Sequence, residues 1–390
     1  MTFFAIRLDG NILDRTSILR KESEVSMQTK KRGITKWIIP GLIFQSVCIG
    51  GGYGTGAEIA QYFGASGLVG GILSALVTLV IWSVMCAITF EFVRVFKTYD
   101  YGSMMGKLLG KAGFLYDILY YLMMFIVLGV LNATAGSMLT SLAGVTKWVG
   151  IAILAVGICF LVFKGTEMIE KVLSFWSYVL YAVYVIFLVA VLVKFGGNIA
   201  AEFGKGQINS NWFFNGASYS MYNLVIVPLI LYTVRDCETR KEAVGCGILS
   251  GVLGVIPGIL LLIVMGADFA TVTAAETPVT VIFEMLDMRW LYIIFEIVLF
   301  GTLIETGTGF IKAVADRIEG AVERGGKEMP KWGHPLIVVG MVVIGVLIST
   351  FGLLNLIVKG YGAAVYGFLI IYALPMITLG VYKIHKAGKQ

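Results

Sequence analysis

The chain has 390 residues, of which 58% are apolar and only 14% charged, against roughly a quarter charged in ordinary soluble domains. With a mean hydropathy of +0.88, it carries too few polar groups to cover a water-facing surface, which excludes a soluble globular protein and indicates an integral helical membrane protein. The formal net charge is +6, and its placement along the chain says more than its sum.

Residues 1–36 are mixed and polar, without the apolar core of about 7–15 residues that marks a signal peptide. They are expected to be a disordered cytoplasmic segment, of which Met1–Ser26 is either disordered or an over-extended start, because Met27 opens a short basic lead, MQTKKRGITKW, straight into apolar sequence. A single membrane domain is expected over 37–390, in halves of about 37–194 and 212–382.

A bilayer core about 30 Å thick needs roughly 20 apolar residues of helix. Ten such runs occur, near Trp37–Phe63, Leu68–Phe96, Phe114–Leu142, Trp148–Phe163, Val172–Val193, Phe213–Tyr232, Ala243–Met265, Trp290–Phe310, Leu336–Phe351 and Ala363–Val381.

The first run carries the densest irregularity. From Cys48 to Glu58 it reads CIGGGYGTGAE, and five of the seven residues from Gly50 to Gly56 are glycine. Each costs a helix interior about 1 kcal/mol relative to alanine, so continuous helix is not expected. Irregular backbone at membrane depth persists only where protein or a water-filled cavity satisfies it. Thr55 and Glu58 have the Thr-x-x-Glu spacing of a capping box, with Thr55 as N-cap and Glu58 at the third helical position. The span is expected as two half-helices with an unwound joint around Gly51–Gly54. Gly50 and Gly54 also have the GxxxG spacing of close helix packing, but packing alone requires neither three consecutive glycines nor a restart signal. Glu58 is divided between a capping carboxylate and a contact to solute or proton.

In the second and third runs, Glu91 and Asp117 lie near the ends, where side chains can snorkel, and Asn132 is an isolated polar group. The sixth run has a milder interruption, NGASYSMYN over Asn215–Asn223. Ser and Asn compete there for backbone hydrogen bonds, and Pro228 removes a further donor. This run opens the second set of five. Five spans per half is an odd number, so structural repeats would be inverted. Broken helices at matching positions of inverted halves point to a secondary-transporter binding site. Half-helix ends would expose N–H groups and carbonyls able to hold a carboxylate and a small cation. Tyr53, Tyr219, Ser220, Tyr222 and Asn223 are the polar side chains near the two breaks. No Lys or Arg lies at the centre of any run, which leaves a multiply anionic solute without a clamp and favours a neutral, zwitterionic or cationic one.

Between the seventh and eighth runs, Thr277 and Pro278 read as N-cap and first residue of a short covering helix. In the eighth run Thr302, Glu305, Thr306 and Gly309 follow the 0, 3, 4, 7 spacing of one helical face. A carboxylate between two hydroxyls can ligate Na⁺. It can equally carry a proton, because a carboxyl away from water favours its neutral form. Glu296 lies on the opposite face.

Lys and Arg fix the orientation. With the N-terminus in the cytoplasm, 25 of the 30 fall in alternate, cytoplasmic segments, leaving Lys147, Lys194, Lys205, Arg289 and Lys359 outside. Two histidines, His334 and His385, leave little basis for a His-centred triad or the usual zinc site. Five cysteines include no CxxC and lie mostly in apolar runs, as small buried hydrophobes rather than a disulfide framework. With no nucleotide motif and no nucleophile–base set, neither an enzyme nor a nucleic-acid partner is expected.

The segment GGGYGTGAEIAQYFG, residues 50–64, resembles the glycine-rich first-helix motif of bacterial YkvI-type membrane proteins. That group is related to the amino acid–polyamine–organocation superfamily. The motif is the specific part of the resemblance, and topology extends it from about Trp37 to the end. Where the family often has Ala-Gly-Phe-Ala-Ser-Gly before the Glu, this chain has Gly51-Gly-Tyr-Gly-Thr-Gly56. The resemblance implies a LeuT-like fold of five plus five inverted helices. In sodium-coupled members an ion sits between the first-helix break and hydroxyl residues of the eighth helix. Carried over by position, this implicates the carbonyls of Gly50 and Gly51 with Thr302, Glu305 or Thr306. A Glu in that set departs from the family's small or hydroxyl-bearing residues and shifts the balance from sodium toward protons. The superfamily also includes receptor-like spore-germination proteins.

The combined expectation is an all-α integral membrane protein of the bacterial cytoplasmic membrane. It has ten transmembrane helices in a LeuT-like 5+5 inverted repeat, with the first and sixth helices broken. It reads as a secondary active transporter of a small organic solute, an amino acid or amine, working by alternating access. A ligand-sensing receptor subunit on the same fold is the alternative. The solute is expected at Gly51, Gly52, Tyr53, Gly54, Thr55, Glu58, Tyr219, Ser220, Tyr222 and Asn223. The coupling ion, Na⁺ or H⁺, is expected at Gly50, Gly51, Thr302, Glu305 and Thr306. No other cofactor is expected, and the partners are the solute and membrane lipid.

Overall fold

The computed structural model describes residues 36–324, 329–330 and 332–389. The expected disorder before Lys36 lies outside the described residues. Among those described, nine helices are long and apolar enough to cross a membrane, and a shorter apolar helix precedes them. The protein is a multi-pass, all-helical membrane protein.

The elements in chain order are α1 Lys36–Cys48, α2 Gly51–Gly54, α3 Leu68–Phe96, α4 Tyr101–Leu109, α5 Phe114–Ala143, α6 Lys147–Lys164 and α7 Thr166–Gly204, kinked at Phe195. They continue as α8 Trp212–Asn223, α9 Arg240–Met265, α10 Phe269–Ala274, α11 Pro278–Leu286, α12 Arg289–Arg324, α13 Gly333–Ile348 and α14 Leu356–Ala387, which alternates α and π turns. Each expected span has its helix. Two short helices, α4 and α10, fall in segments with no apolar run. Asp100 starts α4 by accepting from the Ser103 amide at 2.8 Å, a side-chain cap that satisfies one orphan donor of the first turn.

The spans are held close by small residues, as membrane helices require. A methyl added at Gly247 of α9 would collide with the backbone of Ala87 in α3, and one at Gly251 with Ser83. Between α3 and α8, side chains donate across the interface. Ser74 Oγ reaches Trp212 O at 2.7 Å, Thr78 Oγ1 reaches Gly216 O at 3.1 Å and Trp82 Nε1 reaches Ser220 O at 3.3 Å. At the other helix margins Val156, Phe160, Val193 and Tyr366 are more than half exposed and give the bundle an outward-facing apolar surface. All five cysteines are free.

A charge pair ties α5 to α12. Arg317 of α12 grips Asp117 of α5 in a fork, Nε to Oδ1 at 3.1 Å and Nη2 to Oδ2 at 2.8 Å. Such two-point pairs fix orientation as well as adding energy. Arg317→Ala leaves Asp117 partly buried without its partner, which costs about 1–3 kcal/mol. Lys312→Ala removes only a local i, i+4 pair with Asp316, at a cost of about 0.5 kcal/mol. Thermal unfolding in detergent is expected to separate them. Equal midpoints would show that the fork does not tie α5 to α12.

Candidate functional site

The first crossing breaks twice. α1 ends at Cys48, and the Gly50 amide turns back to Cys48 O at 2.9 Å. Gly50 is extended, with φ −87° and ψ −165°. One helical turn follows, closed by Gly54 N to Gly50 O at 2.9 Å and Thr55 N to Gly51 O at 3.1 Å. The chain breaks again at Gly56, whose φ of +83° lies in the region glycine enters without penalty. It resumes as a π turn over Ile59–Phe63. The stretch Gly51–Gly54, expected to be unwound, is therefore helical, with a break on each side. The reason is packing: Gly51 lies directly on Thr134 of α5, Gly52 on Glu58 and Gly54 on Leu299, so neighbouring elements support the turn that propensity disfavours.

The capping box does not form either. The Thr55 hydroxyl donates backward to Gly51 O at 2.8 Å. The Glu58 carboxylate accepts from the Tyr222 hydroxyl of α8 at 2.6 Å. A buried tyrosine 164 positions away takes the carboxylate that a local motif would use. The Thr55 carbonyl accepts from the Val279 amide at 3.1 Å, so α11, the short helix expected from Thr277 and Pro278, latches onto the second break.

In the sixth span, α8 is regular through Asn223, and Leu224–Val234 then tightens into a 3₁₀ helix containing Pro228. The interruption is thus a change of pitch after Asn223, not unwinding across 215–223. The polar side chains tolerate the helix by bonding within it: Ser220 Oγ to Gly216 O at 2.7 Å and Asn223 Nδ2 to Tyr219 O at 3.1 Å. A 3₁₀ stretch of 11 residues is long for that geometry and often marks a hinge.

These interruptions meet around a cavity of about 20 Å³, room for one or two water-sized particles. Its walls are Val47 and Cys48 of α1, Gly50, Gly51, Glu58, Met123, Val127 and Leu131 of α5, Tyr222 and Asn223, Val225 and Ile226, Thr306 and Phe310 of α12, and Tyr361 of α14. Of the expected residues, Gly50, Gly51, Glu58, Tyr222, Asn223 and Thr306 line it. The others stand behind. Gly52 lies under Glu58, and Gly54 packs on Leu299. Tyr53 donates to Gly254 O at 3.1 Å. Tyr219 is buried against Tyr62, Phe63 and Trp82. Ser220 and Thr55 bond within their own segments.

On the α12 side, Glu305 is 1% exposed. Its Oε2 accepts from the Ser46 hydroxyl, and its Oε1 has no partner among the described residues. Thr306 Oγ1 donates to Val47 O at 3.0 Å. Thr302 spends its hydroxyl on Leu299 O at 2.6 Å. Thr306 lines the cavity beside Gly50 and Gly51, while the hydrogen bonds of Glu305 and Thr306 go to α1. The Gly50 and Gly51 carbonyls serve the α2 turn, and Glu305 and Thr306 contact Ser46 and Val47. The cause is that α1 stops at Cys48, so the carbonyls of its last turn lose their amide partners there.

Sequence reasoning missed Ser46, Gln45, Thr134, Tyr62 and Tyr361. Gln45 is fully buried, and neither atom of its amide has a partner among the described residues. Gln45 and Ser46 were findable, as adjacent polar residues inside GLIFQSVCI. Tyr361 arrives on a π turn more than 300 positions from Glu58 and has no local signal. Asn132, by contrast, donates to Leu128 O of its own helix and does not line the cavity.

No protein-family model and no curated protein matches the sequence. Solved structures do match the fold. A Na⁺-coupled sialic acid symporter in a substrate-bound, outward-open state aligns with TM-score 0.68 at 11% identity, over 89% of this chain and 78% of that one. MhsT in complex with L-phenylalanine aligns with TM-score 0.63 at 13% identity, over 86% and 87%. A manganese transporter of Eremococcus coleocola aligns with TM-score 0.62 at 15% identity, over 89% and 79%. At these identities the likeness is one of architecture, and it places the chain in the LeuT-like fold.

Proposed function

We propose that this protein is a secondary active transporter of a small organic solute, driven by H⁺ or Na⁺ and working by alternating access. The observation that carries this reading is the buried cavity where the two interrupted spans meet, flanked by Glu305, Thr306, Ser46 and Val47. Interrupted helices supply binding groups at membrane depth and points about which bundles can rock. The cavity as it stands holds one or two water-sized particles, so solute entry requires these elements to move. Likeness to a Na⁺-coupled symporter and to MhsT holding an amino acid supports the same reading.

In this proposal the solute contacts Gly50, Gly51, Glu58, Tyr222, Asn223 and Tyr361, and the coupling ion sits at Glu305 with Ser46 and Thr306. A buried carboxylate is costly unless paired, and Glu305 Oε1, without a partner among the described residues, is available to a proton or cation. The halves 37–194 and 212–382 act as inverted repeats, and the Lys- and Arg-rich segments face the cytoplasm of a bacterial cell. Reconstitution into proteoliposomes tests the reading. Wild-type protein is expected to accumulate solute against its gradient when a pH or Na⁺ gradient is imposed. Binding without uptake under either gradient overturns transport and leaves a ligand-sensing receptor on the same fold.

A further inference from the structure

Among the described residues that line the cavity, Glu58 is the one carboxyl. Glu58 is 4% exposed. The Tyr222 hydroxyl holds it on one side at 2.6 Å. On the other it lies against the backbone of Gly52, where an added methyl would come within 2.8 Å of Cγ and 2.9 Å of Cδ. Its position is therefore set by packing. Among the described residues, no Lys, Arg or His lines the cavity. Aromatic faces gather beside the carboxylate: Tyr222 stacks on Tyr361 with centroids 4.6 Å apart at 19°, and Tyr62 is 5.4 Å from Tyr222. Met123, Val127 and Leu131 of α5 and Phe310 of α12 give the cavity an apolar wall.

We propose, on the basis of the transporter reading of this same site, that the solute is an apolar monoamine bearing one positive charge and no carboxylate. Its ammonium is bound by Glu58 and the tyrosine faces, and its carbon body lies along the α5 wall. Three physical arguments converge. An ammonium beside a carboxylate in a water-poor site is strongly attracted, and tyrosine faces add cation–π attraction. An α-amino acid carries its carboxylate directly on the nitrogen-bearing carbon, two bonds from the nitrogen. Its negative charge would sit close to Glu58 with no cation to offset it. At the glycine turn, the other feature able to receive an anion, the Glu58 carboxyl lies against Gly52, so an anion brought there would sit beside a second carboxyl.

The test uses full-length protein and two probe pairs that differ only by the carboxylate: isopentylamine with leucine, and 2-phenylethylamine with phenylalanine. Ligand-dependent thermal shift gives affinities, and counterflow into proteoliposomes gives transport. Each amine is expected to bind about a hundredfold tighter than its amino acid, the scale of one like-charge contact replaced by an opposite one. Glu58→Gln is expected to bring the two members of a pair within about tenfold, because the charge that discriminates between them is gone. Tyr361→Leu, which keeps Glu58, is expected to weaken the amines about fivefold through the lost ring face. Amino acids bound as tightly as their amines, or no shift with either amine, overturns the amine assignment. If leucine or phenylalanine is then carried, transport itself stands. Amine preference without counterflow supports the assignment and overturns transport.

Discussion

Glu305→Gln is expected to abolish gradient-driven accumulation while leaving solute binding and exchange intact. For a solute coupled one to one, a tenfold ion gradient supplies about 1.4 kcal/mol and supports up to tenfold accumulation. The wild-type protein is expected to approach that ratio, and the variant to stay near one. The amide keeps the shape of the side chain and can still accept from the Ser46 hydroxyl that now bonds Oε2. It can neither release a proton nor bring a negative charge to a cation. If the ion is a proton, the variant is locked in the neutral form, and exchange continues without response to pH gradients. If the ion is Na⁺, the variant needs far more Na⁺, because the donor set is reduced to neutral oxygens from Ser46, Thr306 and the α1 carbonyls. Thr306→Ala separates these further. It removes the bond to Val47 O at 3.0 Å, which weakens a Na⁺ site and spares a proton site on Glu305. Survival of both gradient responses in Glu305→Gln would reduce this carboxyl to a contact between α12 and α1.

The spans were legible because their signal is local: long apolar runs separated by charge. The short helices α4 and α10 were not, because nine and six residues bounded by Gly and polar groups read as loop. At the first break, the glycines located the irregularity to within a turn, but not its form. Whether Gly51–Gly54 coils depends on Thr134 and Leu299, which no local pattern contains. The Thr55–Glu58 spacing gave a motif whose carboxylate was claimed by Tyr222 from another span. The 302, 305, 306 spacing put three oxygen-bearing side chains on one side of α12. It could not say that Thr302 would bond Leu299 within its own turn, nor that the register of α1 would present Ser46 rather than Gly50. In each case helical periodicity gave the direction of a side chain, and the partner came from tertiary packing that one sequence does not display.

Gly52→Ala is expected to lower solute affinity about a hundredfold, or ~2.7 kcal/mol, and to cost about 1–3 kcal/mol of stability through the Glu58–Tyr222 bond it breaks. Its new methyl would collide with the Glu58 carboxyl end, which is flexible enough to swing aside. Folding survives, but the carboxylate leaves Tyr222 and the cavity. Gly51→Ala is expected to cost both affinity and stability, the latter by about 1–3 kcal/mol of overpacking. Its methyl meets Thr134 Cβ at 2.9 Å and Val130 O at 3.3 Å. Those atoms belong to the body of α5, so the two elements must part. Gly50→Ala supplies the contrast within the same motif. Its added methyl has nothing nearer than Leu131 Cδ2 at 3.5 Å, and its φ of −87° suits any residue, so affinity should stay within about threefold of wild type, under 1 kcal/mol. Gly340→Ala, with nothing within 4 Å, is the neutral control. Ligand-dependent thermal shift on the four purified variants measures affinity and stability together. Undiminished affinity in both Gly51→Ala and Gly52→Ala would show that the glycine turn does not shape the site. Losses that include Gly50→Ala would show that the motif answers to flexibility, not to the specific contacts of Gly51 with α5 and Gly52 with Glu58.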